Sequence, residues 1–152
     1  MFGIPRAPLI LGLAGLIPFG FGALIAGGGF WANMGDPNAG GYPLIIAKDG
    51  LDLLVLYATI ILSFMSGVLW GFATKTTGTA GYILSVIPAL WAFLMRGSQP
   101  AETLTYLLIG FLGLLLLDLY FFRAGLTPPW WMRLRLLLTT IVVICLATGA
   151  FA

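Results

Sequence analysis

One acidic residue and two basic residues are the side chains best placed to do chemistry in this sequence. Asp118 follows the apolar run 114–117, and Arg133 and Arg135 come just before the next apolar run. An ionisable side chain inside an apolar segment usually faces protein and has a partner. Arg123, five positions after Asp118, would lie on another face of a helix. The pattern therefore favours a structural ion pair of Asp118 with Arg133 or Arg135, in which a guanidinium donates to the carboxylate.

The alternative role for Asp118 is that of a proton-carrying carboxylate. That role needs a polar path through the membrane, and no second acidic residue lies at the middle of an apolar segment. The chain has no histidine and one cysteine, and it shows no paired acids, no nucleophile beside a base, no phosphate-binding loop and no metal-ligand spacing. We therefore expect no enzyme activity, no cofactor and no metal.

The composition identifies the solvent that must surround these residues. Hydrophobic residues make up 61% of the 152-residue chain and charged residues 8%, whereas soluble domains have about 45–50% and about 25%. A small fold cannot hide such an excess in its core, so we expect lipid around it. A soluble enzyme, a disordered tail and a secreted disulfide scaffold are excluded, and the net charge of +2 is too small to indicate a nucleic-acid partner.

The apolar runs predict an all-α, polytopic membrane helical bundle that forms a single domain over residues 1–152. A bilayer core about 30 Å thick needs about 20 mostly apolar residues in a helix, and a β-barrel would need shorter, alternating segments. The long first run favours a retained helix over a cleaved signal peptide. The five predicted transmembrane helices cover residues 8–26, 51–73, 79–95, 103–122 and 136–151.

The basic residues predict the orientation of this bundle. Five of them fall on one side of the five predicted spans and two, Lys48 and Arg96, on the other, so the positive-inside rule puts the N-terminus inside and the C-terminus outside. A bacterial inner membrane is the simplest location. The five residues of the predicted inner side are Arg6, Lys75, Arg123, Arg133 and Arg135.

Small residues and prolines predict how the helices pack and bend. Small side chains at every fourth position allow helix backbones to approach closely, and such stripes occur in the second and third predicted helices. Pro18 and Pro88 lie inside the first and third, where each removes a backbone donor and predicts a helix kink. The two stripes are Ser63, Gly67 and Gly71, and Gly81, Ser85 and Ala89.

Tryptophans mark the predicted membrane surfaces, and one long connection joins the first two helices. Trp130 and Trp131 fit the inner interface and Trp31 the outer one, where aromatic belts anchor helices. Within the glycine-rich connection, residues 43–50 are too short to span, and the sequence leaves open whether they lie in the interface or fold back as a hairpin.

Motifs spread over most of the chain carry a further indication. They are Ile4-Pro5-Arg6-Ala7-Pro8-Leu9, Tyr57 with Ile61-Leu62-Ser63-Phe64, Ser85-Val86-Ile87-Pro88, Leu117-Asp118-Leu119, Pro128-Pro129-Trp130 and Arg133-Leu134-Arg135-Leu136. Together they resemble a family of small bacterial membrane proteins of unknown function related to mitochondrial transmembrane protein 69. Family members often carry a histidine just before the tryptophan of the second helix, where this chain has Leu69. The resemblance implies an inner-membrane protein and supplies no catalytic residues.

Two functions remain in competition at this level. The first is a non-catalytic accessory, structural or assembly subunit of a larger membrane complex of respiratory or photosynthetic type, with membrane lipids and other subunits as partners. The second is a small transporter or a membrane protein that binds a lipid or a quinone. Pro18, Pro88, the glycine-rich connection and Asp118 favour the second function, whereas the lack of an internal repeat counts against a transporter.

Overall fold

The computed structural model describes residues 3–26 and 47–151, and every regular element within them is an α-helix. This confirms the all-helical class for that part of the chain. Trp31 and residues 43–46 lie outside the described residues. The helices are α1 (Arg6–Ala14), α2 (Ile17–Ala26), α3 (Ala47–Ala73), α4 (Ala80–Leu94), α5 (Pro100–Arg123) and α6 (Trp131–Ala150).

Four of the described segments are long and apolar enough to cross a membrane. They are Arg6–Ala26, which comprises α1 and α2, then Asp49–Ala73, Pro100–Arg123 and Trp131–Ala150. The fifth apolar helix, α4, has 15 residues and is about 22 Å long at 1.5 Å per residue. That is shorter than the hydrocarbon core of about 30 Å, so helix length alone supports four spans.

Helix α3 is the central element of the bundle. It packs against α2, α4, α5 and α6, while α5 and α6 pack against each other. Leu54, Leu62 and Leu69 of α3 are fully buried in one continuous apolar core that also includes Leu107 and Phe111 of α5. The apolar residues that remain exposed cover the outside of the bundle, as expected for a surface that meets lipid.

Helices α3 and α6 begin at least four residues earlier than the apolar runs predict. α6 starts at Trp131 rather than at residue 136, because the turn at Pro128 directly precedes it and the backbone N–H of Trp131 donates to the Pro128 carbonyl. Arg133 and Arg135 therefore lie on the helix itself. α3 starts at Ala47 rather than at residue 51, so residues 47–50 belong to a helix.

The first apolar segment is broken at Pro18 rather than kinked. α1 ends at Ala14 and α2 begins at Ile17, so Pro18 is the second residue of a new helix, where its missing N–H costs no helical hydrogen bond. The Tyr57 hydroxyl of α3 donates to the Gly15 carbonyl in the break at 2.9 Å. A side chain from a neighbouring helix therefore satisfies the freed backbone. The prediction of a kink at Pro18 is therefore corrected to a break between two helices. Pro88, in contrast, does lie inside α4.

The predicted packing stripe on α3 is wrong. Ser63, Gly67 and Gly71 are exposed, and a Cβ atom placed on either glycine would meet nothing within 4 Å. The face of α3 that contacts α4 carries Ser66 and Ala73 instead.

The matching stripe on α4 does lie near α3. A Cβ on Gly81 would come within 3.1 Å of the Ala73 Cβ, and the backbone N–H of Ala89 donates to Ser66 Oγ at 2.8 Å. Ser85 is fully buried. Ser66 thus provides a partner for backbone that adjoins Pro88, where the regular helical ladder is interrupted.

Several basic residues are brought to the same end of the bundle. The Lys75 ammonium group donates to the Leu126 carbonyl at 3.0 Å, so the connection after α3 and the connection after α5 meet. At Gly3, which has a φ of +70°, a Cβ atom would lie 2.9 Å from Arg133 Nη1. The start of the described chain therefore adjoins the same end.

Candidate functional site

Asp118 is the residue around which the candidate site is built. It lies on α5, five positions before the helix ends at Arg123, and its side chain is fully buried. The apolar residues before it on α5 place it inside the bundle, on the face that packs against α6. A carboxylate in such a position needs hydrogen-bond donors from a neighbouring helix.

α6 provides two donors for this carboxylate. Arg135 Nε donates to Asp118 Oδ2 at 2.8 Å, and Trp131 Nε1 donates to Asp118 Oδ1 at 3.0 Å. Arg135 is itself only 6% exposed. Because Trp131 and Arg135 are four residues apart, they share one face of α6. The structure therefore joins α5 and α6 through an ion pair and a second hydrogen bond to the same carboxylate.

Of the two arginines considered as partners, the structure brings only Arg135 to Asp118. The Arg133 side chain is exposed and lies near Gly3 at the bundle end. Two residues along a helix correspond to a rotation of about 200°, so Arg133 and Arg135 project from nearly opposite faces of α6. The basic count for the predicted inner side includes both arginines, of which Arg135 is buried in the bundle.

Trp131 is a site residue that the sequence does not predict. The sequence predicts an interface anchor beside Trp130, whereas in the structure the indole N–H of Trp131 donates to Asp118. Its ring also packs edge-on against Phe72 of α3, with centroids 5.0 Å apart. The available signal was its spacing of four residues from Arg135. Trp130 is half-buried, 6.3 Å from Trp131 between ring centroids.

A cavity of about 300 Å³ extends from the buried arginine toward α1, α2 and α3. Its walls are apolar apart from Arg135 and Thr139, which are four residues apart on α6. Among the described residues, Arg135 Nη2 and Thr139 Oγ1 are the two buried side-chain polar atoms without a hydrogen-bond partner. The other lining residues are Leu11, Gly12, Gly15, Leu16, Phe19, Ile61, Phe64, Met65, Phe111, Leu138 and Val142.

The site's chemistry is that of a hydrogen-bonded ion pair beside an apolar cavity. Both oxygens of Asp118 accept a hydrogen bond from α6, so the carboxylate holds two helices together. Within the part of the chain that the structure describes, no group of three histidine, cysteine, aspartate or glutamate side chains could hold a metal ion.

Comparison with known proteins places the chain in a family. Residues 4–151 match the family model DUF3429, described as a protein of unknown function. The chain is also 33% identical to Transmembrane protein 69 of Xenopus tropicalis, in an alignment that covers 93% of this chain and 53% of that protein. The chain thus spans about half the length of this curated relative. No solved structure matches.

Proposed function

The chain belongs to the DUF3429 family and is a multi-pass membrane protein, and from that premise we propose that it is a non-catalytic accessory subunit of a larger membrane complex. The observation that carries the proposal is the outward side of α4 and α5. There a short apolar helix and an apolar groove present a surface that fits a transmembrane helix of another subunit.

The outward side of α4 is apolar along its whole length. Ile83, Leu90 and Phe93 are more than half exposed, whereas Ser85, Pro88 and Ala92 on the opposite side are buried against the bundle. A helix of about 22 Å in a hydrocarbon core of about 30 Å leaves a mismatch. Association with another helix is one of the ways in which a short span relieves such a mismatch.

A groove of about 280 Å³ runs between α4 and α5 on this side. Its lining is apolar and includes the exposed residues Ile87, Gly113 and Leu116, and a Cβ atom on Gly113 would meet nothing within 4 Å. Small residues on an outward helix face allow another helix to approach closely. The groove therefore supports a neighbouring subunit packed across α4 and α5.

The Asp118 site supports a role without catalysis. Its carboxylate is fully buried, and both oxygens accept hydrogen bonds from α6. A proton carrier would instead need an acidic group open to a polar path. The one strongly buried acid among the described residues therefore serves to hold the bundle together, which is what a structural subunit requires.

We further propose five spans, with the N-terminus inside and the C-terminus outside a bacterial inner membrane. Arg6, Lys75, Arg123 and Arg133 are all exposed and belong to the bundle end that the Lys75–Leu126 hydrogen bond and the Gly3–Arg133 contact define. Basic residues are enriched on the cytoplasmic side. This orientation requires α4 to cross the membrane despite its length.

Photo-crosslinking in native membranes tests the accessory role. A photoreactive residue at Phe93, on the outward side of α4, should yield a discrete crosslinked protein, identified by mass spectrometry. Ile144, which is similarly exposed on the outside of α6, provides the matched control and should yield lipid adducts. Two results together would contradict the proposal: no protein co-purifies with the chain in mild detergent, and the two photoreactive positions crosslink equally to protein.

The competing function is a small transporter or a lipid- or quinone-binding protein. Within this alternative, the observation that favours ligand binding is the cavity beside Arg135 and Thr139. A transport role for Asp118 itself would require its carboxylate to be released from Trp131 and Arg135, which its two hydrogen bonds oppose. Ligand binding can accompany an accessory role and is argued separately.

A further inference from the structure

We propose that the cavity between α1, α2, α3 and α6 binds an uncharged, lipid-soluble molecule that presents a carbonyl oxygen on a compact apolar head, such as a quinone. The carbonyl accepts hydrogen bonds from Arg135 Nη2 and the Thr139 hydroxyl, and the apolar walls enclose the head. This site is independent of any partner subunit on α4.

The first argument is the unmet hydrogen bonding at the cavity. Arg135 is 6% and Thr139 3% exposed, and Arg135 Nη2 and Thr139 Oγ1 have no partner among the described residues. A buried polar atom without a partner destabilises the fold, so native proteins rarely retain one without a reason. Both residues line the cavity, so we assign these donors to the acceptor oxygen of a bound molecule.

Thr139 also differs from the other hydroxyl groups of the helices. Thr59, Thr105, Thr140 and Thr148 each donate to the carbonyl four residues earlier, which is the usual partner of a helical threonine. The buried Thr139 hydroxyl has no such bond. Thr139 thus keeps an unused donor in a residue that lines the cavity.

The charge state of the site selects an uncharged ligand. The guanidinium of Arg135 is already paired with Asp118 through Nε, so the pair presents no net charge to the cavity. An anionic headgroup would have to lose its hydration without gaining an uncompensated cation. A carbonyl oxygen needs only hydrogen-bond donors, and Nη2 and the Thr139 hydroxyl provide them.

The size and position of the cavity fit a ring with a tail. A cavity of about 150 Å³ can hold one benzene molecule, and the volume here is about 300 Å³, which leaves room for a substituted ring. Phe19 and Phe111 lie in the buried wall, whereas Leu11 and Phe64 are exposed at the rim. The cavity is therefore open on the lipid-facing side, and an apolar tail can extend there. Apolar walls with a few polar groups are typical of small-molecule sites.

Binding to the purified full-length protein in lipid nanodiscs tests the site. The probes are a benzoquinone with a ten-carbon tail, the corresponding alkylbenzene without carbonyl groups, and a fatty-acid methyl ester. We expect saturable binding of the quinone at one site per chain and at least tenfold weaker binding of the alkylbenzene. Methyl-ester binding as tight as that of the quinone, with the same dependence on Thr139, would uphold the carbonyl site and identify an acyl lipid as its source.

Three variants locate the binding. Thr139→Val removes the hydroxyl at nearly constant volume and should weaken quinone binding about threefold to tenfold, the effect of one net hydrogen bond. Val142→Phe should abolish binding by filling the cavity. Thr140→Val removes a neighbouring hydroxyl that faces away from the cavity and should leave the affinity unchanged.

Three results would overturn the proposal. The first is the absence of quinone binding in a correctly folded wild-type protein, which would leave the cavity to water or to lipid tails. The second is equal affinity for the quinone and the alkylbenzene, and the third is equal quinone affinity in Thr139→Val and Thr140→Val. If Val142→Phe does not fold, the comparison of the two threonine variants still decides the outcome.

Discussion

Trp131 and Arg135 lie one helical turn apart on α6 and donate to opposite oxygens of the same carboxylate. The Trp131 indole is 3.0 Å from Asp118 Oδ1, and Arg135 Nε is 2.8 Å from Asp118 Oδ2. Hydrogen bonds that involve a charged group are shorter and stronger than neutral ones. This arrangement fixes the rotation of α6 relative to α5, and with it the direction in which Thr139 faces.

Removing the charge of Asp118 should destabilise the bundle. In Asp118→Asn, the buried guanidinium of Arg135 loses its counter-charge, and breaking a buried pair in this way costs about 3–5 kcal/mol. Arg135→Gln should have a similar effect. The double variant should lose clearly less than the sum of the two, because both changes remove one interaction. The free energies of unfolding of the two single variants and the double variant, measured in detergent, give this coupling between Asp118 and Arg135.

Arg133→Gln is the control for that cycle. Its side chain is exposed, so it should cost less than Arg135→Gln and should be additive with Asp118→Asn. Additivity of Asp118→Asn with Arg135→Gln as well would show that the ion pair contributes no coupling. A folded Asp118→Asn protein that had lost a pH-dependent transport activity would favour the transporter function instead.

Trp131→Phe should lower stability through the loss of one donor to Asp118. The phenyl ring can still pack edge-on against Phe72, so the main change is the missing indole N–H. A hydrogen bond to a charged group contributes about 1.5–3 kcal/mol. Thermal unfolding in detergent should show a larger decrease for Trp131→Phe than for Trp130→Phe, since the structure gives Trp130 no bond to Asp118. Equal decreases would indicate that Trp131 acts through ring packing alone.

Alanine substitutions at Gly50 and Gly67 should have different effects on the stability of the bundle. A Cβ on Gly50 would lie 2.5 Å from the Ala26 nitrogen and 2.7 Å from the Gly22 carbonyl oxygen, so Gly50→Ala must separate α2 from α3. Overpacking of this kind typically costs about 1–3 kcal/mol. Gly67→Ala, on the same helix, meets open space and should be neutral or stabilising by up to about 1 kcal/mol. Chemical denaturation gives the free energy of unfolding of each variant. A larger loss of stability in Gly67→Ala than in Gly50→Ala would contradict the α2–α3 packing.

Cysteine labelling tests the proposed orientation. In a Cys145→Ala background, Thr76→Cys should be inaccessible to a membrane-impermeant reagent in intact cells, because it follows α3 at the basic end of the bundle. Gln99→Cys, exposed between α4 and α5, should be labelled. The reverse pattern would invert the orientation, and labelling of both positions from outside would show that α4 does not cross.

The sequence alone was sufficient to identify a helical membrane protein. Lipid offers the backbone no hydrogen-bond partners, so each crossing requires a long apolar run, and such runs can be read directly from the residues. The helix starts were less predictable. α6 begins at Trp131 rather than at residue 136 because helical hydrogen bonding continues through Arg133 and Arg135 back to the proline pair.

The tertiary structure decided which face of each helix meets its neighbour. The small-residue spacing selected the outward Gly67 rather than the inward Ser66, because Ser66 has large residues four positions away on either side and belongs to no such stripe. The choice between Arg133 and Arg135 as the partner of Asp118 depended in the same way on the rotation of α6. The ring contact of Trp131 with Phe72 and its hydrogen bond to Asp118 hold α6 in that rotation. These contacts join different helices, so no local sequence pattern encodes them.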